Sequence, residues 1–152
     1  MAKVLVADAN KCVGCRICEQ WCSMTHYKVS NPKKSRISIT RSHEDYMDYP
    51  AVCRQCADTP CIKACPTKVS ALSTNDTTGA VKVDQEKCIA CKMCIKACPF
   101  NAVKLHPDGK FVIICDLCDG DPQCVKYCPE QALLYIERQE AEELIAAGKE
   151  EK

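Results

Sequence analysis

Sixteen cysteines in a chain of 152 residues fall into four groups of four. Cys12, Cys15, Cys18 and Cys22 follow the spacing C-x2-C-x2-C-x3-C, and Cys88, Cys91, Cys94 and Cys98 repeat it with Pro99 next. Cys53, Cys56, Cys61 and Cys65 widen the second gap by two residues, and Cys115, Cys118, Cys124 and Cys128 widen it by three. Those two groups also end in proline, Pro66 and Pro129. No cysteine is left over. Three thiolates at intervals of three on one loop can each reach a different iron of one 4Fe-4S cubane. The fourth lies one helical turn on, with a rise of about 6 Å, and is carried toward a second cubane. Proline then stops the helix and sends the chain out extended. The chemistry implied is ligation of four 4Fe-4S clusters, with one-electron transfer as its use.

Other cysteine chemistries fit worse. Zinc takes four ligands, whereas each loop here offers three in a run. A disulfide framework suits the even count but neither the repeated spacing nor the N-terminal sequence Met1 to Asp8, which has no apolar signal core and no twin arginine. A thiol–disulfide enzyme needs one C-x-x-C pair, not four quartets. Sixteen thiols without an export signal point to a reducing compartment, and the expected location is cytoplasmic. No run approaches the ~18 apolar residues of a membrane span.

Composition agrees that the interior is not hydrocarbon alone. Leu, Ile, Val and Phe number 30, roughly a fifth of the chain. Twenty-one Lys and Arg stand against twenty Asp and Glu, so the balance gives no argument for a nucleic-acid partner. Ligating thiols are deprotonated, and four clusters would bring the holo-protein to a charge of about −7. No Ser-His-Asp set, carboxylate pair, phosphate loop or flavin fingerprint appears, so no active site of its own is expected.

The elements that hold the quartets must be short. Met1 to Asp8 reads as a strand, as do Arg36 to Thr40, Ala80 to Val83 and Ala132 to Ile136. Ala102 to Leu105 and Phe111 to Ile114 flank the turn His106-Pro107-Asp108-Gly109 as a hairpin. Cys22 is followed by Ser23 instead of proline, so the first helix is free to run on toward Tyr27. Trp21 is expected to pack over that helix. The stretch from Glu137 to Lys152 reads as a polar helix, either a solvated face or a weak docking arm, with Leu144 and Ile145 its few apolar positions.

Asp84-Gln85-Glu86-Lys87-Cys88 through Pro99-Phe100-Asn101-Ala102-Val103 resembles half of a bacterial two-cluster ferredoxin. Over residues 3–137 the four motifs in this order resemble the four-cluster electron-transfer subunits of molybdenum and tungsten oxidoreductases. These include dimethyl sulfoxide reductases, formate dehydrogenases and tungsten aldehyde oxidoreductases. The resemblance implies an α+β fold of two nested ferredoxin-like modules in a domain spanning 1–137. The inner module would cover about 50–105 and the outer 1–49 plus 106–137, with 138–152 a polar helix or tail.

It also implies the ligand sets. Cys12, Cys15 and Cys18 would join Cys128, and Cys115, Cys118 and Cys124 would join Cys22. Cys53, Cys56 and Cys61 would join Cys98, and Cys88, Cys91 and Cys94 would join Cys65. Spacing alone leaves open the tandem alternative, motif one with two and three with four. The implied partners are a large catalytic subunit with a molybdenum or tungsten cofactor and a further redox protein. The shortness of the chain, without long insertions or a membrane helix, favours an aldehyde-oxidoreductase type. A free polyferredoxin serving enzymes such as hydrogenases is the alternative, and a structural metal scaffold is the alternative of another class.

Some residues are expected to tune the sites. Ile62, Ile95 and Val125 follow the third cysteine of motifs two to four and would keep water off the sulfurs. Motif one has Glu19 there, which predicts a more exposed site or one facing a partner. Lys11, Arg16, Arg54, Lys63, Lys87, Lys92, Lys96 and Lys126 lie near cysteines and are candidates to offset cluster charge. His26, His43 and His106 read as surface or turn residues.

Overall fold

The computed structural model describes residues 2–147. Its eight strands are all short and form four two-stranded antiparallel sheets. β1 (Lys3–Ala7) pairs with β8 (Leu133–Glu137), so a strand near the start of the chain is held by one made after the fourth motif. β2 (Ser38–Arg41) pairs with β3 (Asp48–Ala51), β4 (Leu72–Thr74) with β5 (Val81–Val83), and β6 (Lys104–Leu105) with β7 (Val112–Ile113). Each read strand is present, with its ends displaced by up to two residues. β3 and β4 were not read from the sequence.

The four motif helices are α1 (Ile17–Tyr27), α2 (Pro60–Ala64), α3 (Met93–Ala97) and α4 (Gln123–Lys126). α1 lies against α4, and α2 against α3. α1 does run on to Tyr27, where Lys28 turns left-handed and donates its N–H to the Met24 carbonyl. Ser23 explains this. It leaves the helix its backbone donor, and its buried hydroxyl donates to the Gln20 carbonyl and accepts the Asn31 N–H at 3.1 Å. After the prolines of the other motifs the chain instead turns at a left-handed residue, Ser70, Asn101 or Gln131, and enters β4, β6 or β8.

Apolar packing is shared out between two clusters, and cysteines are woven through both. Leu5, Ile37, Ile39, Leu117 and Leu133 pack with Cys18, Cys22 and Cys124. Leu72, Val81, Val103, Val112 and Ile114 pack with Cys53, Cys61 and Cys94. Side chains alternate across a strand, so while Leu5 faces the first cluster, Val4 and Val6 face the other way. They are covered by Ala141 of α5 (Arg138–Ala146), with Leu134 and Ile136 of β8. Of the two readings of the tail, residues 138–146 thus take the docking arm, and its small buried anchor, Ala141, is not one of the apolar positions the sequence drew attention to. Positions 148–152 of that tail, like Met1, lie outside the described residues. Among the described residues no helix is long and apolar enough to cross a membrane.

Candidate metal centres

All four motif loops turn the same way at the same place. The residue before the second cysteine is left-handed in each: Gly14 (φ 67), Gln55 (φ 48), Ala90 (φ 53) and Leu117 (φ 58). That conformation costs a non-glycine residue roughly 1–2 kcal/mol, so the loops hold strain at three of the four positions. Gly14 is glycine for a second reason, since a Cβ there would run into the Asp48 carboxylate.

Three cavities result, and each is bordered by four cysteines. Cys12, Cys15, Cys18 and Cys128 line one; Cys22, Cys115, Cys118 and Cys124 line another; Cys53, Cys56, Cys61 and Cys98 line the third. Cys88 and Cys91 lie around Cys94, and Cys65 closes α2, which rests on the helix that carries Cys94. The sets form a series. α1 carries Cys18 and Cys22, α4 carries Cys124 and is followed by Cys128, and Cys115 lies against Cys53. Only Cys15 and Cys91 are exposed among the sixteen, with Val13 beside one and Ile89 and Met93 beside the other, all exposed.

The donor sets fit a cationic core. Burial pushes the Cys18 and Cys53 thiols up to about 12 and Cys94 to about 11, with nearby acidic groups or other thiols adding to the shift. Burial likewise holds Cys115 and Cys124 far above the ordinary thiol range. Four mutually repelling thiolates in an apolar pocket are stable only around positive charge, which iron supplies and a hydrocarbon interior does not. Ile62 and Ile95 are half-buried against the second apolar cluster and Val125 against the first.

Cys22 stands apart. Its sulfur accepts the Arg36 backbone N–H at 3.3 Å and lies 3.8 Å from His26 Nδ1. Burial raises its pKa, but the His26 contact and the Arg36 N–H outweigh that and leave the thiol below its ordinary value. His26 Nδ1 donates to the Cys22 carbonyl at 2.8 Å and Nε2 donates to Asp116 at 3.0 Å. Burial opposes its charge, yet the bond to Asp116 and then the Cys22 contact raise His26 to about 9. The Arg36 guanidinium pairs with the same carboxylate, which also accepts the Cys118 N–H at 3.0 Å.

Three expectations need correction or refinement. His26 is a largely buried hydrogen-bonding residue, not a surface one. His106 does stand at its turn, but its side chain is only 7% exposed and stacks on Phe111 at 4.5 Å, while residues 107–110 are exposed. His43 alone is exposed as expected. Glu19 is itself 2% exposed, so the exposure of its site at Cys15 does not come from this side chain. Its carboxylate accepts the Ile39 N–H at 2.7 Å on the free edge of β2, a donor the two-stranded sheet leaves unpaired.

Four of the eight basic residues flagged near cysteines have partners of their own. Lys87 pairs with Asp84, Lys126 with Asp121, and Arg16 with Glu19; Arg54 covers the Phe100 ring at 4.2 Å. Arg54 also lines the Cys53 cavity, and Arg36, His26 and Lys104 are drawn inside from outside the motifs. Gln55 was also missed. It is 3% exposed, its amide donates to the Cys115 carbonyl at 2.8 Å and accepts the Val81 N–H at 2.9 Å, and its own carbonyl takes Arg138 Nη2 at 2.7 Å. Its only signal was a neutral polar residue inside a C-x2-C loop. Trp21 stacks on Tyr127 with centroids 3.7 Å apart, so it packs across to α4.

Comparison with known proteins places these centres in context. The model of the 4Fe-4S dicluster domain matches residues 44–138. The polyferredoxin-like subunit of aliphatic sulfonate oxidoreductase from Pyrococcus furiosus is 47% identical over 126 residues, 83% of this chain and 71% of that protein. Electron transport protein HydN of Escherichia coli is 33% identical over 171 residues, covering 96% of this chain and 94% of its own. Among solved structures, a chain of the active site complex BamBC of benzoyl coenzyme A reductase with 1,5-dienoyl-CoA aligns with a TM-score of 0.53. It is 27% identical, over 90% of this chain and 76% of that one.

Proposed function

The chain belongs to the 4Fe-4S dicluster domain family, and from that premise we propose that it is the electron-transfer subunit of an oxidoreductase complex, holding four 4Fe-4S clusters. The observation that carries the proposal is the gathering of four cysteines, three from one motif and one from another, around each of three cavities. Cys88, Cys91, Cys94 and Cys65 form the fourth set by the same rule. The nested sets are favoured over the tandem ones because Cys22 borders the cavity of Cys115, Cys118 and Cys124, and because β1 pairs with β8.

Bound clusters supply one-electron transfer without proton or group transfer. The protein's share is geometric and electrostatic. Thiolates hold the series in order, Ile62, Ile95 and Val125 exclude water, and exposed Cys15 and Cys91 mark the two places where electrons enter and leave. The apolar residues beside them are the docking contacts. One partner is a large catalytic subunit with a molybdenum or tungsten cofactor, of aldehyde-oxidoreductase type, and the other is a further redox protein in the cytoplasm. The naming of a 47% identical relative as an oxidoreductase subunit favours this over a free shuttle.

Anaerobic purification of the native complex tests both levels. About sixteen irons and sixteen sulfides per chain are expected, four per cubane, together with a co-purifying large subunit containing molybdenum or tungsten. Zinc in place of iron sinks the cluster reading. A full iron complement with no large subunit retained leaves the shuttle as the function.

A further inference from the structure

The cavity bordered by Cys22 differs from the others in the charges built around it. The Arg36 guanidinium lines it, with a side chain only 14% exposed. Lys104, on β6, reaches inward, donates to the Ile37 carbonyl at 3.2 Å and faces Cys22 as well as Glu19. His26 directs one N–H at the Cys22 carbonyl and the other at Asp116. Against these cations stand two carboxylates, Asp116 and Glu19, each already committed to hydrogen bonds.

The neighbouring set has the opposite surroundings. Asp48 lies against Cys12 and Glu19 against Cys18, while the cations that pair with them, Arg41 and Arg16, have side chains more than half exposed. Arg54 lines the Cys53 cavity, but this single cation lies over the Phe100 ring, and Asp58 and Arg138 offset one another near Cys56. Around Cys94 the charged neighbours are the thiols Cys88 and Cys91. Fixed charge within a few ångströms, poorly screened by water, governs how readily a site accepts an electron.

We propose that Arg36 and Lys104 make the Cys22, Cys115, Cys118 and Cys124 site the most readily reduced of the four, so that the first electron to enter the chain comes to rest there. This rests on the four-cluster reading above. One electron from the reducing partner adds one negative charge to the site; no bond forms or breaks and no proton moves. Since the site is one step in from the Cys15 end, electrons arriving from that end run downhill for one step and then wait.

The test is a potentiometric titration of the holo-protein, followed by electron paramagnetic resonance, with dithionite as reductant. Cys118→Ser identifies which wave belongs to this site. That wave should be the first to reduce. Arg36→Met should disfavour its reduction at least tenfold, about 59 mV for one electron, and Lys104→Met should move it in the same direction. The charge-preserving Arg36→Lys and Lys104→Arg should leave it within threefold of wild type. The backbone N–H on the Cys22 sulfur persists in every variant, so the readout isolates side-chain charge.

Iron and sulfide are measured on each sample. A wild-type value far from sixteen irons defeats the four-cluster reading itself. A full complement with the marked wave not first, or unmoved by both Met variants, overturns the inference alone. Equal shifts in the Met and charge-preserving variants also overturn it, because they point to packing instead of charge. If Arg36→Met fails to load iron, the Lys104 pair decides by the same criteria.

Discussion

Gln55 shows how much a single buried amide can join. It ties the Cys115 carbonyl to the Val81 N–H through one side chain, so the motif-two loop is pinned both to the motif-four loop and to β5. Gln55→Leu keeps the volume but leaves a donor and an acceptor buried without partners, each worth about 1–3 kcal/mol. We expect the thermal bleaching midpoint of the holo-protein to fall well below that of wild type. A midpoint within error of wild type would mean that water reaches both groups. At this scale the cysteines were fully legible, because their role is written in spacing. Glu19, His26 and Gln55 were not, because their partners lie 20, 90 and 60 residues away or are backbone groups with no sequence signature.

Among the elements, legibility followed periodicity. β1, β2, β5 and β8 alternate or are rich in branched residues and were read. β3 contains Pro50 in a two-stranded sheet, where edge proline is tolerated, and β4 is three residues long, below what alternation can reveal. The shared left-handed turn was hidden as well, since glycine, glutamine, alanine and leucine occupy equivalent positions. It makes a paired prediction. Gly14→Ala adds a Cβ at φ 67 against Asp48 and should destabilise the motif-one loop by about 1–3 kcal/mol. Ala90→Gly removes strain at φ 53 and should be neutral or stabilising by up to about 1 kcal/mol after the entropy that glycine loses. Melting of the two holo-variants checks the opposite signs. A common fall of similar size would show that the two loops do not share the strain ascribed to them.

For the whole molecule, cysteines are part of both apolar clusters, so metal and fold stand together. Removing iron with a chelator under reducing conditions should reduce the far-ultraviolet circular dichroism toward that of coil. A cooperative thermal transition surviving in the apo-protein would show that hydrocarbon packing suffices. Cross-ligation gives a second molecule-scale outcome. Cys22→Ser should alter the spectrum of the cluster held by Cys115, Cys118 and Cys124, because serine offers a harder and less easily deprotonated ligand. Under tandem pairing the change would appear instead in the cluster of Cys53, Cys56 and Cys61. Fold class was readable from the four motifs and their resemblance; the docking of α5 was legible only as one of two alternatives, since it depends on one alanine meeting two valines at the far end of the chain.

The pairing of β1 with β8 also sets a calendar for synthesis. A ribosome makes ~5–20 residues each second, so β1 emerges seconds before the strand that completes it, with some 125 residues still to come. Motifs two and three, by contrast, have all their own cysteines in hand by residue 98. A nascent chain can therefore be furnished with iron and sulfide from its middle outward, while Cys12 to Cys22 wait for the last motif with their thiols unclaimed. Chains arrested after residue 105 should already bind two clusters, and the earliest cysteines made should be the latest protected from alkylation.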